Sequence, residues 1–473
     1  MYQSDKNRVK DKIETFAKFG ATGKGGITRF SLSKEAIAAR NEFKSRMEAL
    51  KLPVVTDDMA NMYATAAGSD PSLPRIVLAS HCDSVRNGGN YDGILGVITA
   101  LEVVETIVRE KIPHRHPITA MIWTNEEGSL YPPAMMSSGV VCGKFKKAEV
   151  LTHTSPEGKT FGEALAASGF VGSESNRFNG KDYAAMLELH IEQGPILEAK
   201  KKQIGVVQAV LGMVNYRITA RGQSDHAGTT PMSFRRDALY AAAQALLYLH
   251  EKLDKLDKDL VYTTGELLIH PCVHTVIPDF VEFSLDARHV NPEVIKKVVK
   301  IITGLPKKFA KCDISWREAW ARKTTPFNKT LVDTVEKTAQ ALGYSQMRIF
   351  SGAGHDAQYA ADIIPTTMIF VPSKDGHSHC EEEFTSVEEC WKGINVALNT
   401  VVEIDKLDSI ADEKVVIAAK KAAAKPAAKA GTAKKPSPKA GAAKKPAAKT
   451  GAPKKAAPKA AAAKPVAKKP GLK

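Results

Sequence analysis

Four apolar runs, each leading into a His, Asp or Glu, constrain this chain more than any other feature. Residues 75–80, 118–124, 183–189 and 366–371 read as buried strands. They lead into His81-Cys82-Asp83, Asn125-Glu126-Glu127-Gly128, Glu188-Leu189-His190 and His377-Ser378-His379. Open α/β sheets gather ligands at the carboxyl ends of their strands. His, Asp and Glu seldom sit buried there without a partner. After Asp92, the residues Ile94, Val97, Ile98, Leu101, Val104 and Val108 recur at helical spacing and predict one apolar face. Strand, His-Cys-Asp, helix, strand, Glu-Glu is a βαβ rhythm, so an α/β fold with a mainly parallel sheet is expected.

Residues 4–20 and 34–50 have helical spacing. The Gly-rich stretch 20–26 is not a phosphate loop, because Lys18 stands where that motif needs Gly and Gly25 where it needs Ser or Thr. From about Val206 the pattern changes. Residues 214–220 alternate apolar and polar, as a half-exposed strand does. A helix over 235–256, strands at 267–270 and 281–286, and a helix over 292–303 follow. This β-α-β-β-α order predicts an inserted α+β open-faced sandwich. The expected organisation is a discontinuous main domain, 1–210 and 326–412, an inserted domain, 211–325, and a tail, 413–473.

The net charge of +15 resides in the tail. Residues 421–473 carry sixteen Lys, eight Pro and no acid, which leaves 51 basic and 52 acidic residues in 1–420. With almost no large apolar side chains, the tail is expected to be disordered. Lysines without interleaved aromatics favour phosphate over base contacts, so non-specific nucleic-acid binding through 415–473 is expected, with a solvated appendage as the plainer alternative. No stretch is long and apolar enough to read as a membrane span. The six cysteines are scattered without a CxxC pair, which points to reduced thiols and a cytoplasmic protein.

Each strand-end element has a plain reading and a chemical one. His81 alone could be a buried structural histidine. Asp83 could fix the second ring nitrogen of His81 or order its loop. Asp92, just before a helix, could be an N-cap or a carboxylate bridging two metals. Glu126 and Glu127 repel one another unless a cation lies between or beside them. One of them could then bind metal while the other takes a proton from water. Taken together, His81, Asp92, Glu127, His190 and His379 supply the five ligands of a two-metal hydrolytic site. Such donors suit Zn, Mn, Co or Ni. No Gly-x-Ser-x-Gly elbow, dinucleotide fingerprint or His-Glu-x-x-His competes.

Over residues 5–410 the chain resembles the hydantoinase/carbamoylase branch of the two-metal aminopeptidase-like amidohydrolases. The matching segments include Gly-Gly-Ile-Thr-Arg (25–29), Ser-His-Cys-Asp-Ser (80–84), Gly-Gly-Asn-Tyr-Asp-Gly (88–93) and Thr-Asn-Glu-Glu-Gly (124–128). Leu-His-Ile-Glu-Gln-Gly-Pro (189–195), Asp-His-Ala-Gly-Thr-Thr-Pro-Met (225–232), Ser-Gly-Ala-Gly-His-Asp-Ala (351–357) and Ser-His (378–379) complete them. The resemblance implies that Asp92 bridges two divalent ions, that His81 and His190 complete one, and that Glu127 and His379 complete the other. It implies Glu126 as general base and later acid. His226 resembles a histidine that reaches from the lid of a partner subunit to polarise the substrate carbonyl, which implies a homodimer. Gln193 and Arg288 resemble substrate contacts, Arg288 holding a carboxylate. Thr275 stands where the branch carries an Asn, and it lacks the amide's paired donor and acceptor. The implied reaction is hydrolysis of an N-carbamoyl amino acid to amino acid, ammonia and carbon dioxide. Hydrolysis of allantoate is the alternative.

Overall fold

The computed structural model describes residues 1–417. The disorder and nucleic-acid binding expected of the basic tail therefore fall almost wholly outside the described residues.

The four apolar runs form the middle of a nine-stranded sheet. Ile118–Trp123, Arg75–His81, Tyr183–Ile191 and Thr366–Val371 lie side by side, and each pairs in parallel with the next. Their continuous apolar character matches burial on both faces. Met62–Ala66 flanks one side antiparallel, and Ile204–Val210 flanks the other antiparallel. Gln346–Ser351 pairs in parallel with Ile204–Val210. The parallel centre brings four strand ends to one crest, which is what the distribution of His and acid residues required.

The helix Ile94–Arg109 runs behind this crest and is buried on nearly every side. It packs on the central strands and is covered by the helices Lys6–Phe16 and Val387–Asp405. Complete burial forces its acids into pairs. Glu102 meets Lys12 at 2.7 Å and Arg8 at 2.8 Å, and Glu105 meets Lys12 at 2.7 Å. Removing one partner of so buried a pair costs more than the pair itself contributes.

Residues 212–322 build a second sheet of six strands with its own apolar core. Gly212–Arg221 lies between Phe280–His289 and Cys312–Arg322, antiparallel to both. The helices Ala238–Leu253 and Pro292–Thr303 cover one face with Ala241, Ala245, Leu249, Val298 and Ile302 against Val281, Phe283 and Leu285. The opposite face carries Arg217, Glu282, Asp286 and Arg288 and is half-exposed. This is the expected open-faced sandwich, with three strands more than the sequence pattern indicated: the short Val261–Thr263 and Lys308–Phe309, and Cys312–Arg322. Cys312–Arg322 alternates only over its first residues and then passes through a bulge between Glu318 and Trp320. The helix expected over 235–256 is trimmed to Ala238–Leu253, because Asp237 caps it by accepting from the amides of Leu239 and Tyr240.

Candidate metal and catalytic site

The site begins at the crest. His81 ends its strand, and its Nδ1 donates to the Asp83 carbonyl at 3.1 Å. That backbone contact orients the ring and frees Nε2. The Asp83 carboxylate serves a different purpose: it accepts from the amides of Glu126 at 3.3 Å and Glu127 at 3.2 Å. One residue thus ties the His81 loop to the Glu126 loop. His190 lies within its strand rather than beyond it, and its Nδ1 donates to the Ile191 carbonyl at 2.9 Å.

Asp92 sits at the centre. Its Oδ1 lies 3.5 Å from His81 Nε2 and 3.2 Å from His190 Nε2. Its Oδ2 lies 3.3 Å from His379 Nε2, which is itself 3.6 Å from Glu127 Oε2. Two groups of metal-type donors, His81-Asp92-His190 and Asp92-Glu127-His379, therefore share one carboxylate. Asp92 does not cap the following helix; Gly93 occupies the cap position without a side-chain bond. Gly93 has φ +64°, and a Cβ there would stand 2.2 Å from His81 Cε1, so only glycine lets the ring approach.

The electrostatics fit a cation. Burial, reinforced by Asp356 and Glu127, pushes Glu126 well above the ordinary carboxyl range. Burial, then Asp92 and Asp83, does the same to Glu127. Burial also opposes ionisation of Asp92, but hydrogen bonds with His190 and His379 hold it well below that range. Burial drives the His190 imidazole down, yet Asp92 brings it up to about 9. Glu127 Oε1 is buried without a hydrogen-bond partner. So many acids around three imidazoles, with an orphaned carboxylate oxygen among them, fit a positive charge and five donors to hold it.

Glu126 Oε2 lies 3.7 Å from His81 Nε2, at the edge of the cluster and outside both donor groups. Gln193 donates from Nε2 to Asp92 Oδ2 at 2.7 Å. Of the other expected residues, Arg288 lies on a strand of the second sheet, and His226 and Thr275 lie on loops that connect its elements. Arg288 donates from Nε to Asp286 Oδ1 at 2.8 Å and from Nη1 to the Gly352 carbonyl at 2.8 Å. His226 is exposed, and its hydrogen bonds stay within its own loop. Its Nδ1 accepts from the amides of Gly228 at 2.9 Å and Thr229 at 3.2 Å, which leaves the proton on Nε2 as a free donor. The Thr275 carbonyl accepts from the Ala227 amide at 2.9 Å, so its backbone supports the His226 loop.

Two contributors escaped sequence reasoning. Glu383 accepts from the amides of Tyr91 and Asp92, each at 3.0 Å, and from Ser378 Oγ at 2.9 Å. It is one of three consecutive glutamates, and nothing in the string Glu381-Glu382-Glu383 singles it out. Arg40 donates to the Ala60 carbonyl and to Thr124 Oγ1, both at 2.7 Å, beneath the Glu126 loop.

The peptidase family M20/M25/M40 profile matches residues 77–403. The N-carbamoyl-L-amino-acid amidohydrolase of Rhizobium meliloti is 36% identical over 400 residues, covering 84% of this chain and 96% of its own. The allantoate amidohydrolase of Bacillus subtilis is 32% identical over 406 residues, covering 85% of this chain and 98% of its own. The crystal structure of a hydantoinase/carbamoylase family amidase from Burkholderia multivorans matches with a TM-score of 0.76 at 36% identity, over 87% of this chain and 99% of that one.

Proposed function

The chain belongs to the peptidase family M20/M25/M40 and is an amidohydrolase of C–N bonds in ureido compounds, and from that premise we propose that it hydrolyses an N-carbamoyl amino acid. The observation that carries this reading is the shared carboxylate of Asp92, with Glu126 beside it and outside both donor groups. His81, Asp92 and His190 would hold one divalent ion, and Asp92, Glu127 and His379 a second. The ions, when bound, supply positive charge that makes water acidic near neutral pH and polarises a carbonyl.

The chain's own residues do the rest. Arg288 binds the substrate carboxylate through guanidinium N–H groups not taken by Asp286 and Gly352. Glu126 takes a proton from the attacking water as its oxygen bonds to the ureido carbon. Its burial among acids raises its basicity, which suits this task. His226 donates its Nε2 proton in a hydrogen bond to the developing oxyanion. A donor of that kind contributes about 3–4 kcal/mol in comparable sites. Glu126 then returns the proton to the amino-acid nitrogen as the C–N bond breaks, and the released carbamate decays to ammonia and carbon dioxide.

His226 makes its hydrogen bonds away from the donor cluster, so a second copy of the chain would supply it. The exposed Val261, Leu267 and Leu268 on the second sheet support a homodimer. Mixing His226→Ala with Glu126→Gln subunits should restore activity through hybrid sites; no recovery despite subunit exchange would refute sharing. Thr275 favours keeping allantoate as a second substrate reading, because the exchange alters the polar group beside the expected carboxylate site. Product analysis with N-carbamoyl-β-alanine, N-carbamoyl-L-amino acids and allantoate decides between them. Near-normal turnover by metal-loaded Glu126→Gln would overturn the mechanism.

Six free cysteines support a reducing, cytoplasmic setting, and among the described residues no helix is long and apolar enough to cross a membrane. The sixteen lysines of 421–473 support a further, separate role in holding nucleic acid through phosphate contacts. Deleting 418–473 should abolish DNA retention at low salt and leave catalysis unchanged; a DNA shift by the truncated protein would refute it.

A further inference from the structure

Arg322 lies at the end of the strand Cys312–Arg322, and Arg288 on the strand two away. Both pair with Met213 of the strand between them. Directly opposed residues project to the same face of a sheet, so the two guanidiniums rise side by side. They then reach one glycine-rich segment. Arg288 Nη1 donates to the Gly352 carbonyl at 2.8 Å. Two residues on, a Cβ at Gly354 would stand 2.5 Å from Arg322 Nη1 and 3.2 Å from Met135 Cε. The Met135 amide in turn donates to the Glu126 carbonyl. Arg322 therefore stands between Arg288 and the loop of the general base.

Its bonding is incomplete. Nε donates to the Leu211 carbonyl at 3.1 Å and Nη1 to Gln358 Oε1 at 3.2 Å. Nη2 is buried and has no partner. Burial, then the neighbouring Arg288, lowers the guanidinium to about 10, so it stays charged at neutral pH. Buried charged donors are rarely left idle. Arg288, by contrast, is partly neutralised by Asp286.

We propose that Arg322 is a second cationic contact for the substrate carboxylate, closing from the Glu126 side the grip that Arg288 provides from the other. The inference rests on the ureido-acid reading of the site, in which Arg288 already binds that carboxylate. It makes Arg322 a specificity-determining residue that favours anionic over neutral ureido compounds.

The test uses full-length, manganese-loaded protein and two probes, N-carbamoyl-β-alanine and its neutral carboxamide, with affinities measured by calorimetry. The unaltered protein should prefer the acid. Arg322→Gln should cut that preference by about tenfold to a hundredfold, the range for a charge-assisted hydrogen bond to an ionised group. Arg322→Lys, which keeps the charge but not the fork, should cut it by a smaller factor and covers the case in which the glutamine variant does not fold. Equal weakening of acid and amide in these variants, an unchanged preference, or no preference in the unaltered protein would overturn the proposal. A preference that collapses as expected in a protein that turns over no ureido acid would support Arg322 and refute the reaction instead.

Discussion

Glu383→Ala tests how the site is held rather than what it holds. The Glu383 carboxylate accepts two backbone amides, those of Tyr91 and Asp92, and the Ser378 hydroxyl. It is only 4% exposed. Truncation to Ala strands both amides in a buried space. Each unsatisfied buried N–H costs about 1–3 kcal/mol, so stability should fall by about 2–6 kcal/mol. A water entering the cavity would move the loss toward the lower figure. Glu383→Gln keeps the volume and one carbonyl oxygen, which can still face the two amides. Its loss should be nearer 1 kcal/mol, the charge assistance alone. The larger effect concerns metal. Asp92 contributes both oxygens to the donor groups, and Glu383 fixes its backbone. Removing a group that orients a ligand weakens metal affinity by about tenfold to a hundredfold. Denaturant unfolding of chelator-treated protein reads the first quantity, and competition against a chromophoric chelator reads the second. An alanine variant with unaltered midpoint and unaltered metal affinity would refute the assignment of Glu383 as the support of Asp92.

Three further outcomes are expected. Gly93→Ala forces a Cβ to within 2.2 Å of the His81 ring at φ +64°, so metal titration should show weakened binding; unchanged affinity would mean the ring can retreat at no cost. Burial raises Glu188 from 4.5 to about 7, so the folded metal-free protein binds this proton more tightly than the unfolded chain does. Stability should therefore fall as pH rises from about 4.5 to 7, and Glu188→Gln should flatten that slope in unfolding curves measured across the window. Asp58 has the opposite sign: burial opposes its ionisation, but Arg177 and Lys147 hold it below its ordinary 3.8. Its contribution is complete above that value and disappears as pH falls through the lower folded pKa, so Asp58→Asn should destabilise at pH 7 and by progressively less as the pH is lowered below 3.8, read by the same unfolding curves.

The legible parts of this molecule share a physical cause. The central strands are buried on both faces, so they appear as unbroken apolar runs, and a buried run ending in His or Glu stands out. The helix Ile94–Arg109 is legible for the same reason. Cys312–Arg322 was not, because most of its residues face solvent and the bulge after Glu318 breaks its alternation. Asp83 was placed near the site by sequence, but its work was not: its backbone oxygen meets His81 while its carboxylate holds the Glu126 and Glu127 amides. A side chain that acts on backbone amides of a distant loop leaves no periodic trace. Glu383 escaped for that reason too, and Arg40, which donates to a carbonyl and a hydroxyl on distant segments, leaves as little trace.

The site residues themselves break local rules. Asn125 has φ 61°, Gln193 φ 57° and His379 φ 58°, all in the left-handed region that side chains with a Cβ avoid. Each lies where the chain leaves the crest and must turn sharply enough to aim a side chain back across it. That strain needs restraint from elsewhere. Asn125 is held by its Nδ2 donating to the Tyr131 carbonyl at 2.7 Å and by its carbonyl accepting from the Met136 amide at 3.0 Å. Gln193 is held by its amide donating to Ser373 Oγ at 3.0 Å. The turn that carries Glu126 and Glu127 and the turn that follows His190 are thus closed by loops with no ligands of their own, at 131–136 and at Ser373. A relative with the same five donors and slack in those loops would therefore have the composition of the site without its geometry.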